Sequence, residues 1–301
     1  MIKKIIKRTV FLSQNYALRF LFKFLSLFSL KSLYLLAGWA AFFLEKSNAR
    51  IFRVIQIHLN RLADVSALEM TELNARAVLQ ETCKAGVEML YFWTCSYSAL
   101  KARVSKIHGL DDFNAAKNQG QGVLLLGPHL GSWELINLYF SPLSALYDPL
   151  RFEPMNEIMK SGRERFGSHL FPANPMGVKK IFKALLKGDV VGILPDQVPD
   201  SEESGLFVPF LGADALTISL PVKLVQKKRV PVFYTFAERQ PHGFFEIYFI
   251  PVHPDFYSED MSIALTAMNK GIEACIAMCP LQYQFGYKRF KRRPLGQESW
   301  Y

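Results

Sequence analysis

Acidic residues are scarce where basic ones are dense. The first fifty residues hold nine cations (Lys3, Lys4, Lys7, Arg8, Arg19, Lys23, Lys31, Lys46, Arg50) against one acid, Glu45, so this segment carries +8 of a net charge of +10. Other absences narrow the chemistry. No G-x-S-x-G occurs, which removes a nucleophile-elbow serine hydrolase. No phosphate-binding loop, no G-x-G-x-x-G and no H-E-x-x-H occurs either. The four cysteines, Cys83, Cys95, Cys275 and Cys279, form no C-x-x-C pair and have no histidine at metal-site spacing, so they read as buried thiols of a reducing compartment and no metal is expected. Long uncharged apolar runs do not recur, which excludes a multi-span channel. Neither zinc-finger spacing nor an RNA-recognition signature is present, so nucleic acid is not the expected partner of the positive charge. No internal repeat and no low-complexity tract stands out.

What is present suits a globular protein at a membrane. The chain has 301 residues, half of them hydrophobic and 21% charged, enough to bury a large core without disulfides. Residues 21–44 are almost wholly apolar, broken by Lys23 and Lys31, but the uncharged run 32–44 is too short for a clean span. With no A-x-A-like cleavage site, residues 1–46 read as an uncleaved helical anchor that dips into the bilayer or lies along it, its lysines snorkelling and its basic start cytoplasmic. The alternative is an apolar core helix. Residues 47–301 form the second unit. Residues 47–104, including the stretch around Thr71 and Asn74, read as helices from their three-and-four apolar spacing. Beyond them the texture alternates. Strands are expected at 122–127, 190–194, 230–237 and 244–252, the last two joined by a turn at 240–243. Helices are expected at 131–140, 156–166, 178–187 (stopped by Gly188), 217–228 and 262–278. That order predicts an α/β fold with a mostly parallel central sheet flanked by helices.

Active sites of such sheets gather at the carboxyl ends of strands. Two ends carry polar residues here: Gly127-Pro-His129-Leu-Gly-Ser-Trp-Glu134 and Leu194-Pro-Asp196-Gln197. A carboxylate on one ring nitrogen of His129 would raise basicity at the other, and Glu134, one turn into the next helix, is the expected partner. A satisfied structural histidine is the competing reading of His129.

The first of these blocks resembles the H-x4-E/D signature of glycerolipid acyltransferases and, more narrowly, the lipid A late acyltransferase family. Further blocks agree in order: Gly162-Arg163-Glu-Arg165, the segment from Leu186 through Gln197, Phe207-Val-Pro209-Phe-Leu-Gly212, and the tail from Gln282-Tyr283 to Pro294. The resemblance covers roughly residues 10–295. Two departures are small: Phe285 stands where the family usually has Trp, and Asp189 where Glu is common.

The resemblance implies transfer of laurate or myristate from acyl carrier protein to a 3-hydroxyacyl hydroxyl of a lipid A precursor at the bacterial inner membrane, catalytic side cytoplasmic. It implies no cofactor and no covalent intermediate. His129 would be the base and Glu134 its orienting carboxylate. Arg163 and Arg165 would bind acidic groups of the acceptor, and Asp196 and Gln197 would contact it. Oxyanion donors are expected among backbone N–H groups near Gly131. The acidic carrier would dock on Lys179, Lys180, Lys183 and Lys187, or on Lys223, Lys227, Lys228 and Arg229. The cluster from Lys288 to Arg293 is a candidate for lipid headgroups. Another lysophospholipid or glycolipid acceptor is the alternative within this fold; a non-catalytic lipid-binding protein is the alternative outside it. Chain length, the hydroxyl used and oligomeric state are not readable from these blocks.

Overall fold

A computed structural model describes residues 2–25, 27–66 and 73–301, with side chains from residue 14 onward. Thr71 and the side chains of Lys3, Lys4, Lys7 and Arg8 lie outside that range. In chain order the elements are α1 (Ile2–Leu25), α2 (Leu30–Lys46), α3 (Arg50–Leu62), α4 (Ala75–Phe92), α5 (Tyr97–Lys101), β1 (Val104–His108), α6 (Leu110–Asn118), β2 (Val123–Leu126), α7 (Trp133–Tyr139) and β3 (Ser144–Tyr147). They continue with α8 (Glu153–Glu164), β4 (His169–Pro172), α9 (Pro175–Leu186), β5 (Val190–Ile193), β6 (Gly205–Phe210), β7 (Ala213–Ile218), α10 (Leu220–Lys227), β8 (Val232–Gln240), β9 (Phe244–Pro251) and α11 (Met261–Met278).

Among the described residues the main sheet has seven strands in the order β1-β9-β8-β2-β5-β3-β4. The five strands from β8 to β4 are parallel, while β9 runs antiparallel to β8 and β1 follows β9. Continuous apolar runs form its centre because both faces are covered. Along β2, Val123 and Leu125 face a core built by α1, α2, α6, α7 and α8. Leu124 and Leu126 face the opposite core, built by α3, α9, α10 and α11.

The expected mostly parallel sheet is present, with several local corrections. Residues 217–228 are not one helix: 217 and 218 end β7, which pairs with β6 in a separate two-stranded hairpin, and α10 starts only at Leu220. Strands β1, β3 and β4 have four or five residues each, too short to show a period, and were not expected. Helix α7 starts two residues later than the pattern implies. Gly131 has φ +59°, and a Cβ there would lie 2.1 Å from the Ala237 carbonyl, so the chain stays paired to the end of β8 through Ser132. Gly188, at φ +92°, ends α9 as expected.

The N-terminal helices are partly embedded. Helix α2 buries Leu30, Leu33, Ala37 and Ala41, and it packs on α4. Its other side leaves Leu35, Trp39 and Phe43 exposed, Trp39 by 63%. On α1, Tyr16, Phe20 and Phe24 are exposed as well. Among the described residues no single helix is long and apolar enough to cross a membrane. The stretches Gln14–Leu25 and Leu30–Lys46 reach that length and composition only together, and they are bent by 117°. Buried ion pairs tie this layer to the sheet: Arg239 at the end of β8 meets Glu81 and Glu88 of α4, and Tyr34 of α2 donates to Glu88.

Candidate active site

His129 leaves the end of β2 on a short turn whose backbone is held on three sides. Gly131 N–H donates to the Gln282 carbonyl (3.1 Å), Ser132 N–H to the Ala237 carbonyl (2.8 Å), and the His129 carbonyl accepts from Gln284 N–H (3.1 Å). The imidazole points to the end of β5. Its Nδ1 lies 2.7 Å from Asp196 Oδ1, while its own backbone N–H donates to Asp196 Oδ2 at 2.8 Å. Asp196 is 2% exposed. Burial by itself would raise its carboxyl pKa; the charge and hydrogen bonds of His129, with help from Arg289, outweigh that and hold it below the ordinary carboxylate value. In the neutral form of the ring, with Nδ1–H donating to the ionised Asp196, Nε2 carries the lone pair. The exposed Gln197 side chain reaches Nε2 at 3.0 Å, its amide N–H donating.

The carboxylate that holds the imidazole is therefore Asp196, not Glu134. Glu134 is the second residue of α7 and is 3% exposed. Among the described residues its hydrogen bonds go to other partners. Arg163 Nε reaches Oε1 and Oε2 at 3.0 and 2.9 Å, Arg163 Nη2 also donates to Oε1, and Trp93 Nε1 donates to Oε2 at 3.1 Å. The physical reason is the late start of α7. The two non-helical residues before it, Gly131 and Ser132, spend the spacing that would have folded Glu134 back, and the helix then aims it between α4 and α8. Burial alone would lower the Arg163 pKa; Glu134's charge and hydrogen bonds outweigh it and raise it. Gly162 lets α8 reach Trp93, since a Cβ there would meet Trp93 Cβ at 2.6 Å and the indole Cγ at 2.7 Å.

Against the Glu134–Arg163 corner lies a cavity of about 80 Å³. It is lined by Gly127, Trp133, Glu134, Arg163 and Thr235 and by a set of leucines beneath them. The Trp133 ring lies beside His129, with centroids 5.4 Å apart. Among the described residues no group of three or more His, Cys, Asp or Glu is arranged to hold a metal ion.

A model of the family described as bacterial lipid A biosynthesis acyltransferase matches residues 16–292. The chain belongs to that family. It is 28% identical over 221 residues to a lipid A biosynthesis palmitoleoyltransferase of Escherichia coli K12, covering 71% of this chain and 69% of that protein. It is 25% identical over 264 residues to a lipid A biosynthesis lauroyltransferase of the same organism, covering 86% and 84%. A lipid A biosynthesis acyltransferase of Haemophilus influenzae is 26% identical over 202 residues, covering 64% of this chain and 61% of that one.

The blocks this chain shares with the acyltransferase family now have positions. The closing block braces the site. The Gln282 amide bonds both the N–H and the carbonyl of Arg239, at 2.8 and 3.0 Å, and Val198 N–H donates to Tyr287 Oη at 3.1 Å. Tyr283 is buried beside Asp196, where burial and then that negative charge push its phenol pKa up. Arg289 turns inward, to the Leu216 carbonyl at 2.7 Å and Thr217 Oγ1 at 2.9 Å, and Arg293 is held by the Asp214 carbonyl. The run from Lys288 to Arg293 is thus divided between interior and surface, which corrects its reading as one headgroup patch. Phe285 is buried, and its backbone carbonyl accepts from His58 Nδ1 at 2.6 Å.

The remaining expected residues do not converge on His129. Arg165 is exposed, with its guanidinium over the Phe166 ring at 4.7 Å. Arg163 spends Nε and Nη2 on Glu134, so its charge is already neutralised. The backbone N–H groups of Leu130, Gly131 and Ser132 are all taken by carbonyls, so they are not oxyanion donors. The two lysine clusters meet, since Lys228 Nζ donates to the Leu185 carbonyl at 3.1 Å. Lys187 and the 227–229 run, however, precede β5 and β8 and therefore sit at the edge of the sheet opposite His129. Trp93 and Tyr283 were missed as site residues. Trp93 lies in a helical stretch with no motif, and Tyr283 offered only its place in the closing block.

Proposed function

We propose that this chain transfers a fatty acyl group from the thioester of acyl carrier protein to a 3-hydroxyacyl hydroxyl of a lipid A precursor. The observation that carries the reading is His129 at the carboxyl edge of the sheet, with Nδ1 fixed on buried Asp196 and Nε2 turned outward to a displaceable glutamine. That geometry suits a general base without a nucleophile behind it. The acceptor hydroxyl replaces the Gln197 amide at Nε2 and gives its proton to the imidazole. Its oxygen bonds to the thioester carbonyl carbon, giving a tetrahedral intermediate. The C–S bond then breaks, the thiolate leaves, and the imidazolium returns the proton to sulfur. Ester and thiol are the products, and no covalent enzyme intermediate is formed. Asp196 stabilises the transient imidazolium and keeps the ring in register. Glu134 acts in this reading as the partner of Arg163, fixing the wall against which the substrates lie.

Residues 1–46 associate the enzyme with the cytoplasmic side of the inner membrane. The support is the exposed apolar face of α1 and α2, flanked by Arg19, Lys23 and Lys31, which fits a bilayer with anionic headgroups better than a buried core helix. Flotation with anionic vesicles checks this: the protein is expected to float, and Trp39→Ser with Phe43→Ser to weaken it.

The test of the reaction incubates the purified protein with acyl carrier thioesters and the Kdo-bearing tetra-acyl precursor, or its penta-acyl product, and reads mass gain, with Asp196→Asn in parallel. One or two acyl increments on lipid A, lost in the variant, are expected. Transfer to a lysophospholipid alone replaces the acceptor, and transfer to nothing overturns the reading.

A further inference from the structure

One rung of the sheet has an unusual sequence of side-chain sizes. Across β2, β5, β3 and β4, in hydrogen-bonded register, stand Leu125, Gly192, Ala145 and Leu170. Leu125 and Leu170 face the core shared with α7 and α8. Two small residues between two leucines leave a trough in that face, and the cavity described above occupies it. Its rim lies at the carboxyl ends of the strands, at Gly127, two residues before His129, and at Trp133, whose ring centroid lies 5.4 Å from that of the imidazole. Leu143, just before β3, lies toward the opposite end. The trough is mostly apolar, with polar groups at the rim and at Asn137, one turn along α7. Among the described residues Thr235 Oγ1 and Asn137 Oδ1 are buried without a hydrogen-bond partner, and both residues line it. Unpaired buried oxygens are costly, so an occupant with a polar head and an apolar tail fits better than a dry void. The volume of about 80 Å³ has room for a file of roughly six water-sized groups, each needing about 10–15 Å³. That is part of one alkyl chain.

We propose that this trough receives the methyl end of the donor's acyl chain, and that Gly192 and Ala145 set the longest chain accepted. The inference rests on the acyl-transfer reading above. The donor is the occupant because its thioester carbon has to reach His129 while its tail needs a single narrow recess. The acceptor carries several chains, which one file cannot hold. A Cβ at position 192 would meet Leu143 Cδ1 at 3.7 Å and Ala145 Cβ at 3.9 Å, both ordinary contacts. Gly192→Ala therefore fills the trough without displacing its walls.

The test measures kcat/KM for carrier thioesters from eight to sixteen carbons on wild type, Gly192→Ala and Leu170→Val. Equilibrium binding of free fatty acids of the same lengths is measured alongside. Gly192→Ala is expected to move both optima toward shorter chains, the long-to-short ratio of kcat/KM falling about tenfold, in line with what one methylene is worth in an apolar pocket. Leu170→Val, which widens the trough at its side wall on that rung, is expected to move them the other way, and it carries the test if Gly192→Ala does not fold. Wild-type transfer with an optimum that neither variant moves overturns the trough and leaves the reaction standing. Binding optima that move in a protein that transfers nothing keep the trough and overturn the reaction.

Discussion

Asp196 and Glu134 are both buried at the same edge of the sheet, yet one holds an imidazole and the other a guanidinium. The difference decides what each corner can do. A neutral imidazole donates from one nitrogen and accepts at the other, so the Asp196 corner can take up a proton at Nε2. A guanidinium never gives its proton up, so the Glu134–Arg163–Trp93 corner can only hold a shape. A second contrast runs between two of the six histidines. His129 presents Nε2 to an exposed glutamine. His58 is sealed, with Nδ1 on the Phe285 carbonyl and Nε2 accepting from the Tyr301 hydroxyl, and burial pushes its pKa down to about 4.

The contrast breaks most visibly at His129. His129→Ala should lower kcat by about 10³–10⁴-fold, at the upper part of what general-base groups contribute, while the melting temperature stays near wild type. Asp196→Asn should lower kcat by about 10²–10³-fold. It should also remove part of the acid dependence of stability. The Asp196 carboxyl sits below its ordinary value, so the stability it adds is present above about pH 4 and is lost as acid protonates it. An unchanged kcat in Asp196→Asn would return the orienting role to another group.

Glu134→Gln should act on the fold first. It leaves the Arg163 cation without its counter-charge, at a cost of about 3 kcal/mol, seen as a lower urea midpoint. Adding Arg163→Met to that variant should recover much of the loss. Recovered stability with activity still absent would assign the pair a part in the reaction beyond structure.

His58 supplies the pH test of the sealed side. Its pKa falls from about 6.5 unfolded to about 4 folded. The stability it contributes is therefore present above pH 6.5 and lost progressively toward pH 4, by up to about 3 kcal/mol. His58→Gln should flatten the melting temperature across that window. The smallest effect belongs to Arg165→Ala. Its exposed guanidinium predicts a change in kcat/KM below about threefold; a larger loss would bring the acceptor out to the end of α8.

Much of this was legible in residue order. Strands β2, β5, β8 and β9 announced themselves as apolar runs bounded by glycine, proline or turn residues, and the polar residues just after β2 and β5 marked the candidate edge, where His129 and Asp196 meet. Strands β3 and β4 were not legible, because four residues buried at one side of a sheet carry no period. The β6–β7 hairpin hid in a block recognisable as a motif but not as a strand pair. Within the site, both carboxylates and Arg163 were visible as candidates. Their pairing was not, since a spacing of five residues reads as a folded-back contact only if the helix starts at once, and Gly131 and Ser132 delay it.

The sequence by itself determined the family, the alternation of strand and helix, and the types of side chain at the active edge, because each of these rests on local pattern. Tertiary structure alone decided which carboxylate meets His129, since Asp196 lies in the loop after another strand, 67 residues along the chain. It also decided that Arg289 faces inward while Arg165 faces water, and that Gly192 and Ala145 fall on one rung. Partners across a sheet are set by register, and register is fixed only when every strand has found its neighbour.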